Sequence, residues 1–253
     1  MRQTRLVGKF IIKLISLYRI NDEMKFWITV ILLIVTILPC SGIPGDTLSC
    51  DTVLNTPAIG VMFKGGTNVV LNHKGEVIEG VLAVDTDLWT TGPLVLFQGG
   101  TRIMINEDGK VFEGFPAVNF IGEASNGKFY EFKAMTVTFF DKQGRVSAGS
   151  AAQGIEYVCK DGTVIFSDPG AEIRFYPSGN IRLITPVETV KLSINTHEKI
   201  SFMAHRPIVF NRDGYVMQGI SAKKSTFVDQ NGNTVTKHPG DIIKFNSDGM
   251  LIN

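Results

Sequence analysis

The chain is poor in the residues from which most enzymes build their chemistry. It holds 3 cysteines, 4 histidines and 2 tryptophans in 253 residues, and no Gly-x-Ser-x-Gly run marks a nucleophile elbow. No cysteine has a histidine partner close by in sequence, so nucleophilic catalysis has no visible starting point. Charge is scarce as well, at 19% of residues with a formal net of +1. There is no basic stripe, which removes the phosphate-neutralising surface that nucleic acid binding requires and excludes nucleic acid as an expected partner. What the chain has in quantity is 44% hydrophobic residues, 26 glycines and 17 phenylalanines. Short Val/Ile/Phe runs between glycines point to strands joined by turns rather than to long helices.

The N-terminal segment differs from the rest. Met24-Lys25 precedes an uncharged run of 13 residues, Phe26 to Leu38, that ends at Pro39-Cys40-Ser41-Gly42. A bilayer-crossing helix needs about 20 apolar residues, whereas this length fits the core of a signal peptide. Residues 1–42 are therefore expected to be a signal peptide or an N-terminal anchor, and residues 43–253 a single β-repeat domain. Met24-Lys25-Phe26 already has the form of a complete start, so the true start stands between Met1 and Met24. Cleavage after Gly42 places small residues at the positions a signal peptidase reads. Cys40 is the alternative, a lipidation site, although Pro39 and the bulky Leu38 depart from the usual small pair. Removing residues 1–42 takes six basic and two acidic residues from 25 and 24, leaving 19 against 22 and a slightly acidic domain. The expected address is outside the cytoplasm: periplasm, outer envelope or extracellular space, with membrane attachment through the N-terminus only.

Self-similarity organises the remainder. A glycine preceded by polar turn residues, and followed two positions later by Val, Ile or Leu, recurs at Gly75, Gly109, Gly144, Gly179, Gly214 and Gly249, with spacings of 34, 35, 35, 35 and 35. The turns read Asn72-His73-Lys74, Asn106-Glu107-Asp108, Asp141-Lys142-Gln143, Tyr176-Pro177-Ser178, Asn211-Arg212-Asp213 and Asn246-Ser247-Asp248 before their glycines. Apolar residues alternate on both flanks, the mark of strands with one buried face. They are Val69/Leu71, Ile103/Ile105, Val137/Phe139, Ile173/Phe175, Ile208/Phe210 and Ile242 or Ile243 with Phe245 before the turn, and Val77, Val111, Val146, Ile181, Val216 and Leu251 after it. Two further turn series, at Gly65-Gly66, Gly99-Gly100, Pro169-Gly170 and Pro239-Gly240, and at Thr91-Gly92, Asn126-Gly127, Asp161-Gly162 and Asn231-Gly232, give about four short strands per unit. The expected fold is all-β: six tandem units of about 35 residues in an antiparallel meander or β-solenoid, with a β-propeller as the alternative because four strands per unit also suits a blade. Strands of five to seven residues are too short for a membrane barrel. In an open array Cys50 and Cys159 lie three repeats apart, beyond the ~7 Å between Cα atoms that a disulfide permits, so both are expected as free thiols or bonded between chains.

The run Gly75-Glu76-Val77-Ile78-Glu79-Gly80-Val81-Leu82-Ala83-Val84-Asp85-Thr86, echoed at Gly109-Lys110-Val111-Phe112-Glu113-Gly114, resembles exported bacterial β-repeat proteins that carry G-x-V-x-x-G-x-L-A-x-D-T. The resemblance covers residues 43–253 and implies an exported repeat protein, but no activity, cofactor or site. A looser likeness to MORN-type hairpin repeats stops at their shorter period and at their regular Tyr and Trp, which are missing here.

Candidate chemistry is thin. Glu79, Asp85, Asp87 and Glu113 are the carboxylates from which a sugar-cleaving pair is conceivable. The Asx-rich turns offer too few oxygens for calcium, which takes six to eight. The irregular fifth unit stands out: Ile184-Thr185-Pro186-Val187-Glu188 replaces a glycine, and Thr196-His197-Glu198 and Ala204-His205-Arg206 replace glycine turns. Residues unique within a repeat array are where function is lodged, since shared ones are explained by folding. Glu188, His197, His205 and Arg206 are accordingly the expected partner-binding residues; with Glu198 they match no standard metal signature. No cofactor is expected. The leading expectation is a non-enzymatic scaffold or binding protein of the cell envelope, with a protein or glycan partner, and the runner-up a carbohydrate-active enzyme on a β-solenoid.

Overall fold

The computed structural model describes residues 47–90, 92–195 and 198–252. The segment expected to be a signal peptide or anchor, with Cys40, and also His197, lie outside the described residues.

Each unit divides its strands between two layers. Two of them, or one in the sixth unit, where Leu251 makes only isolated bridges, enter one long antiparallel sheet of 11 strands, in which neighbours follow chain order from Val70–Leu71, Val77–Val81 and Arg102–Ile105 through to Val216–Ile220 and Ile242–Lys244. The other two form a separate hairpin. The six hairpins pair Thr52–Asn55 with Gly60–Phe63, Thr86–Trp89 with Leu94–Phe97, Phe120–Glu123 with Phe129–Phe132, Glu156–Val158 with Val164–Phe166, Val190–Ser193 with Lys199–Phe202, and Ser225–Val228 with Thr234–Lys237. The fold is thus an all-β repeat meander. Because the four strands of a unit never share one sheet, the blade of a propeller does not form. The sheet ends at Val70–Leu71 on one side and Ile242–Lys244 on the other and does not close. Strands run two to five residues, shorter than the five to seven expected, and five sheet hairpins carry a register shift beside the turn.

That shift follows from the turn. Asn72 N–H donates to the Glu76 carbonyl and Gly75 N–H to the Asn72 carbonyl, with Gly75 at φ 78°. This is a type I turn closed by a left-handed residue, the arrangement that places a bulge in the hairpin and sets its twist. The backbone pattern repeats at Asn106, Asp141, Tyr176, Asn211 and Asn246.

The core is one cluster of buried apolar side chains contributed by both sheet and hairpins. The residues two positions after each sheet glycine, Val77 to Leu251, are all buried, as expected. In the sixth unit Ile243 faces in with Phe245, and Ile242 faces solvent. The third unit corrects the expected pair Val137/Phe139. Counting back by two from its turn puts Thr138 and Phe140 inside, at 0% and 1% exposure; Val137 misleads because Thr138 fills the place that is isoleucine or valine in the other units.

A second ladder joins the layers. Phe63, Phe97, Phe132 and Phe202 end their hairpins fully buried. Each stands over a sheet glycine 17 positions later: a Cβ on Gly80 would meet the Phe63 ring at 2.5 Å, on Gly114 the Phe97 ring at 2.7 Å, on Gly149 the Phe132 ring at 3.1 Å and on Gly219 the Phe202 ring at 2.5 Å. In the fourth unit, to which the structure assigns Ile184 rather than to the fifth, both positions change together. Ser167 replaces phenylalanine and Ile184 replaces glycine, and both are buried, at 1% and 0%. The volume that the hairpin gives up is supplied from the sheet, so the irregularity at Ile184 is a core substitution that preserves packing. The Ser167 hydroxyl accepts the Ile155 N–H at 2.9 Å, which satisfies the polar atom it brings inside.

Cys159 is a buried free thiol, so no bridge links it to Cys50. Cys50 is itself disulfide-bonded, which corrects the expectation of two free thiols for that residue. Burial pushes the Cys159 thiol up to about 12, keeping it protonated and unreactive at neutral pH.

Candidate functional site

The repeat supplies its own standard of comparison, because five of the six sheet turns solve the same problem identically. Asn72, Asn106, Asp141, Asn211 and Asn246 each offer Oδ1 to the N–H groups two and four residues on, at 2.9–3.0 Å. These are ordinary Asx caps. The fourth turn begins with Tyr176. Its backbone bonds persist, Tyr176 N–H to the Asn180 carbonyl and Gly179 N–H to the Tyr176 carbonyl, both at 2.8 Å, but the two side-chain caps are gone. The Tyr176 hydroxyl instead donates to the Phe210 carbonyl of the next unit at 2.8 Å. A position that relinquishes two local hydrogen bonds is the kind that folding alone does not explain.

Around Tyr176 the units four and five carry other residues absent from their equivalents. Arg182 and Arg212 lie 5.8 and 5.9 Å from the Tyr176 ring centre, and Lys160 lies 4.9 Å from that of Tyr215. All three cations are exposed, so the rings hold them in place at small cost to their hydration. The Asn180 amide donates to the Arg212 carbonyl at 2.7 Å, and the Tyr157 hydroxyl sits 3.4 Å from the Ile181 N–H. Between these groups lies a pocket of about 390 Å³ lined by Tyr157, Val158, Lys160, Asn180, Arg212, Asp213 and Gly214. A second, of about 210 Å³, shares Lys160 and Gly214 with it and adds Asp161, Ser193, Asn195 and Tyr215.

Electrostatics at the cleft is set by which charges are already engaged. For Asp161 burial acts to raise the carboxyl, but the Lys199 ammonium at 2.7 Å, the Thr163 N–H at 3.0 Å and the Ser193 hydroxyl at 2.8 Å outweigh it and hold the group well below the usual carboxylate range. Asp161 thus stays ionised and paired with Lys199. Burial raises the Tyr157 phenol above its ordinary value, opposed by the Ile181 N–H, so it remains a neutral donor and acceptor. Lys160 and Arg212 then outnumber Asp213 among the charges lining the larger pocket, with Arg182 near the Tyr176 ring that Arg212 also approaches, in a domain that is otherwise slightly acidic.

The residues singled out from the sequence lie elsewhere. Glu188, His205 and Arg206 are exposed in connections at the opposite edge of their units from the sheet turns. His205 does take the glycine place of its turn, with φ 55° where Gly66, Gly100, Gly170 and Gly240 are also positive. Its Nδ1 pairs with Asp168 at 2.9 Å rather than with Glu188 or Glu198, and at 67% side-chain exposure the pair is weakly held. Among the described residues no group of three or more His, Cys, Asp or Glu side chains is placed to hold a metal. Of the four candidate carboxylates, Glu79 and Glu113 are brought together, on one guanidinium, and Asp85 and Asp87 lie apart from them. Glu79 and Glu113 both accept from Arg102, at 2.8 and 3.0 Å; Asp85 accepts the Gly99 N–H at 2.7 Å as a turn cap; Asp87 is exposed on the second hairpin. The cleft is visible in sequence only as the one turn that does not begin with Asn or Asp, and as tyrosines at 157, 176 and 215 in a chain with five. Comparison with protein-family models, with curated proteins and with solved structures finds no match for this chain.

Proposed function

We propose that the protein is an exported binding protein of the cell envelope, without catalysis of its own, and that its ligand occupies the cleft between units four and five. The observation that carries this reading is the replacement of an Asx cap by Tyr176, which costs the turn two hydrogen bonds and gains a ring flanked by Arg182 and Arg212. Export is supported by the apolar run Phe26 to Leu38 before Pro39-Cys40-Ser41-Gly42, and by the resemblance to exported β-repeat proteins. The larger of the two adjoining pockets, of about 390 Å³, falls within the size range of small-ligand sites.

The test uses the full chain, incubated with isolated envelopes and sedimented. Depletion of the protein from the supernatant is expected, with Tyr176→Asn sedimenting markedly less. The same substitution restores an Asx cap but gives up the Tyr176 hydroxyl bond to the Phe210 carbonyl, so its melting midpoint is expected to stay close to that of the parent. Loss of binding at unchanged stability is the signature of a turn given over to function. Equal sedimentation of both proteins overturns the reading, and so does release of reducing sugar from the envelopes.

A further inference from the structure

We infer that the cleft takes an acidic saccharide, a chain of sugar rings bearing carboxylates; the inference rests on the binding role just proposed and names its ligand class. Lys160 and Arg212 line the larger pocket, and Arg182 joins Arg212 at the Tyr176 ring. Guanidinium groups present the forked donors that suit a planar carboxylate. With Asp161 already neutralised by Lys199 at 2.7 Å, the cations face only Asp213 among the lining carboxylates of that pocket. An anion is therefore the charge the cleft accepts.

The remaining lining favours a sugar over other anions. Asn180 and the Tyr157 hydroxyl offer donors and acceptors to ring hydroxyl groups, and Tyr157 in the larger pocket and Tyr215 in the smaller supply flat faces for the apolar side of a ring. The two pockets share Lys160 and Gly214, so successive rings of one chain fit them in turn with Lys160 between. A peptide needs an unpaired strand edge or a series of apolar pockets; Val158 is the sole aliphatic side chain lining these two. A nucleic acid needs a track of cations long enough to neutralise many phosphates, and only Lys160 and Arg212 line the larger pocket.

The experiment measures binding of a tetragalacturonate, its fully methyl-esterified and hence neutral form, and a linear tetraphosphate, by calorimetry at low and moderate salt. The uronate is expected to bind, more weakly as salt rises. Methyl esterification, Arg182→Ala and Arg212→Ala are each expected to weaken it about tenfold or more, as the loss of charge-assisted bonds does. Arg212 engages Asn180 through its backbone carbonyl, so truncating its side chain leaves that contact intact, and an unchanged melting midpoint verifies the fold. Lys191→Ala, an exposed cation on the outer side of the fifth hairpin, is expected to bind like the parent. Equal affinity for the ester, indifference to both arginine variants, an equal loss in Lys191→Ala, or preference for tetraphosphate each overturns the assignment. Should the uronate fail while Tyr176→Asn still reduces envelope sedimentation, the saccharide assignment falls and the binding site stands; should both fail, neither does.

Discussion

Replacing Ile184 by glycine should destabilise the protein by about 3–5 kcal/mol, and adding Ser167→Phe should recover most of that loss. Ile184 is fully buried, so its removal leaves a cavity of several methylene groups and adds the backbone entropy of a glycine in mid-strand. Ser167→Phe alone should also destabilise, by about 1–3 kcal/mol or more, since it drives a ring into space the isoleucine fills. Together the two changes recreate the arrangement at Phe63 and Gly80, Phe97 and Gly114, Phe132 and Gly149, and Phe202 and Gly219. The double variant leaves the Ile155 N–H without the Ser167 hydroxyl, which sets the residual cost at about 1 kcal/mol. Urea midpoints of the four proteins give the coupling directly. Additive losses would show that the two positions do not exchange volume and that the fourth unit is irregular for another reason.

This pair shows how far the sequence could be read. Periodicity exposed the six units, the strand count and the inward residues after each turn, because those depend on local alternation and turn chemistry. It could not assign the strands to two layers, since four short alternating runs per unit look the same whether they share a blade or divide between sheet and hairpin. Nor could it show that Ile184 answers Ser167, because the two are brought together across the layers. The same limit hides the site. Loss of glycine marks Ile184, His197 and His205 as departures from the repeat, whereas the more telling departure is the loss of an Asx side chain at Tyr176, in a turn whose glycine is intact. His205 kept a left-handed φ of 55° and so changed little beyond its own side chain. In units four and five, Lys160, Tyr176, Arg182 and Arg212 are spread over some fifty residues of sequence, and only the stacking of one unit on the next gathers them.

Gly75→Ala and Gly109→Ala should differ in cost although the two glycines hold the same place in the same turn. Both have positive φ, 78° and 73°, so each substitution imposes the strain of an L residue in the left-handed region, about 1 kcal/mol. At Gly75 nothing lies within 4 Å of the added Cβ, and the strain is the whole effect. At Gly109 the added atom runs into Ala58, against its Cβ and also its backbone N at 2.7 Å. Backbone does not step aside as a flexible side chain does, and forced overpacking adds about 1–3 kcal/mol. Thermal midpoints are therefore expected to fall slightly for Gly75→Ala and severalfold further for Gly109→Ala. Ala58 belongs to the turn of the first hairpin and Gly109 to the second unit, so the difference measures how closely one unit is stacked on the next. Equal midpoints would mean that the contact between units yields freely, and a cleft assembled from side chains of two adjacent units would then lack the rigid support that holding Arg182 and Arg212 about Tyr176 demands.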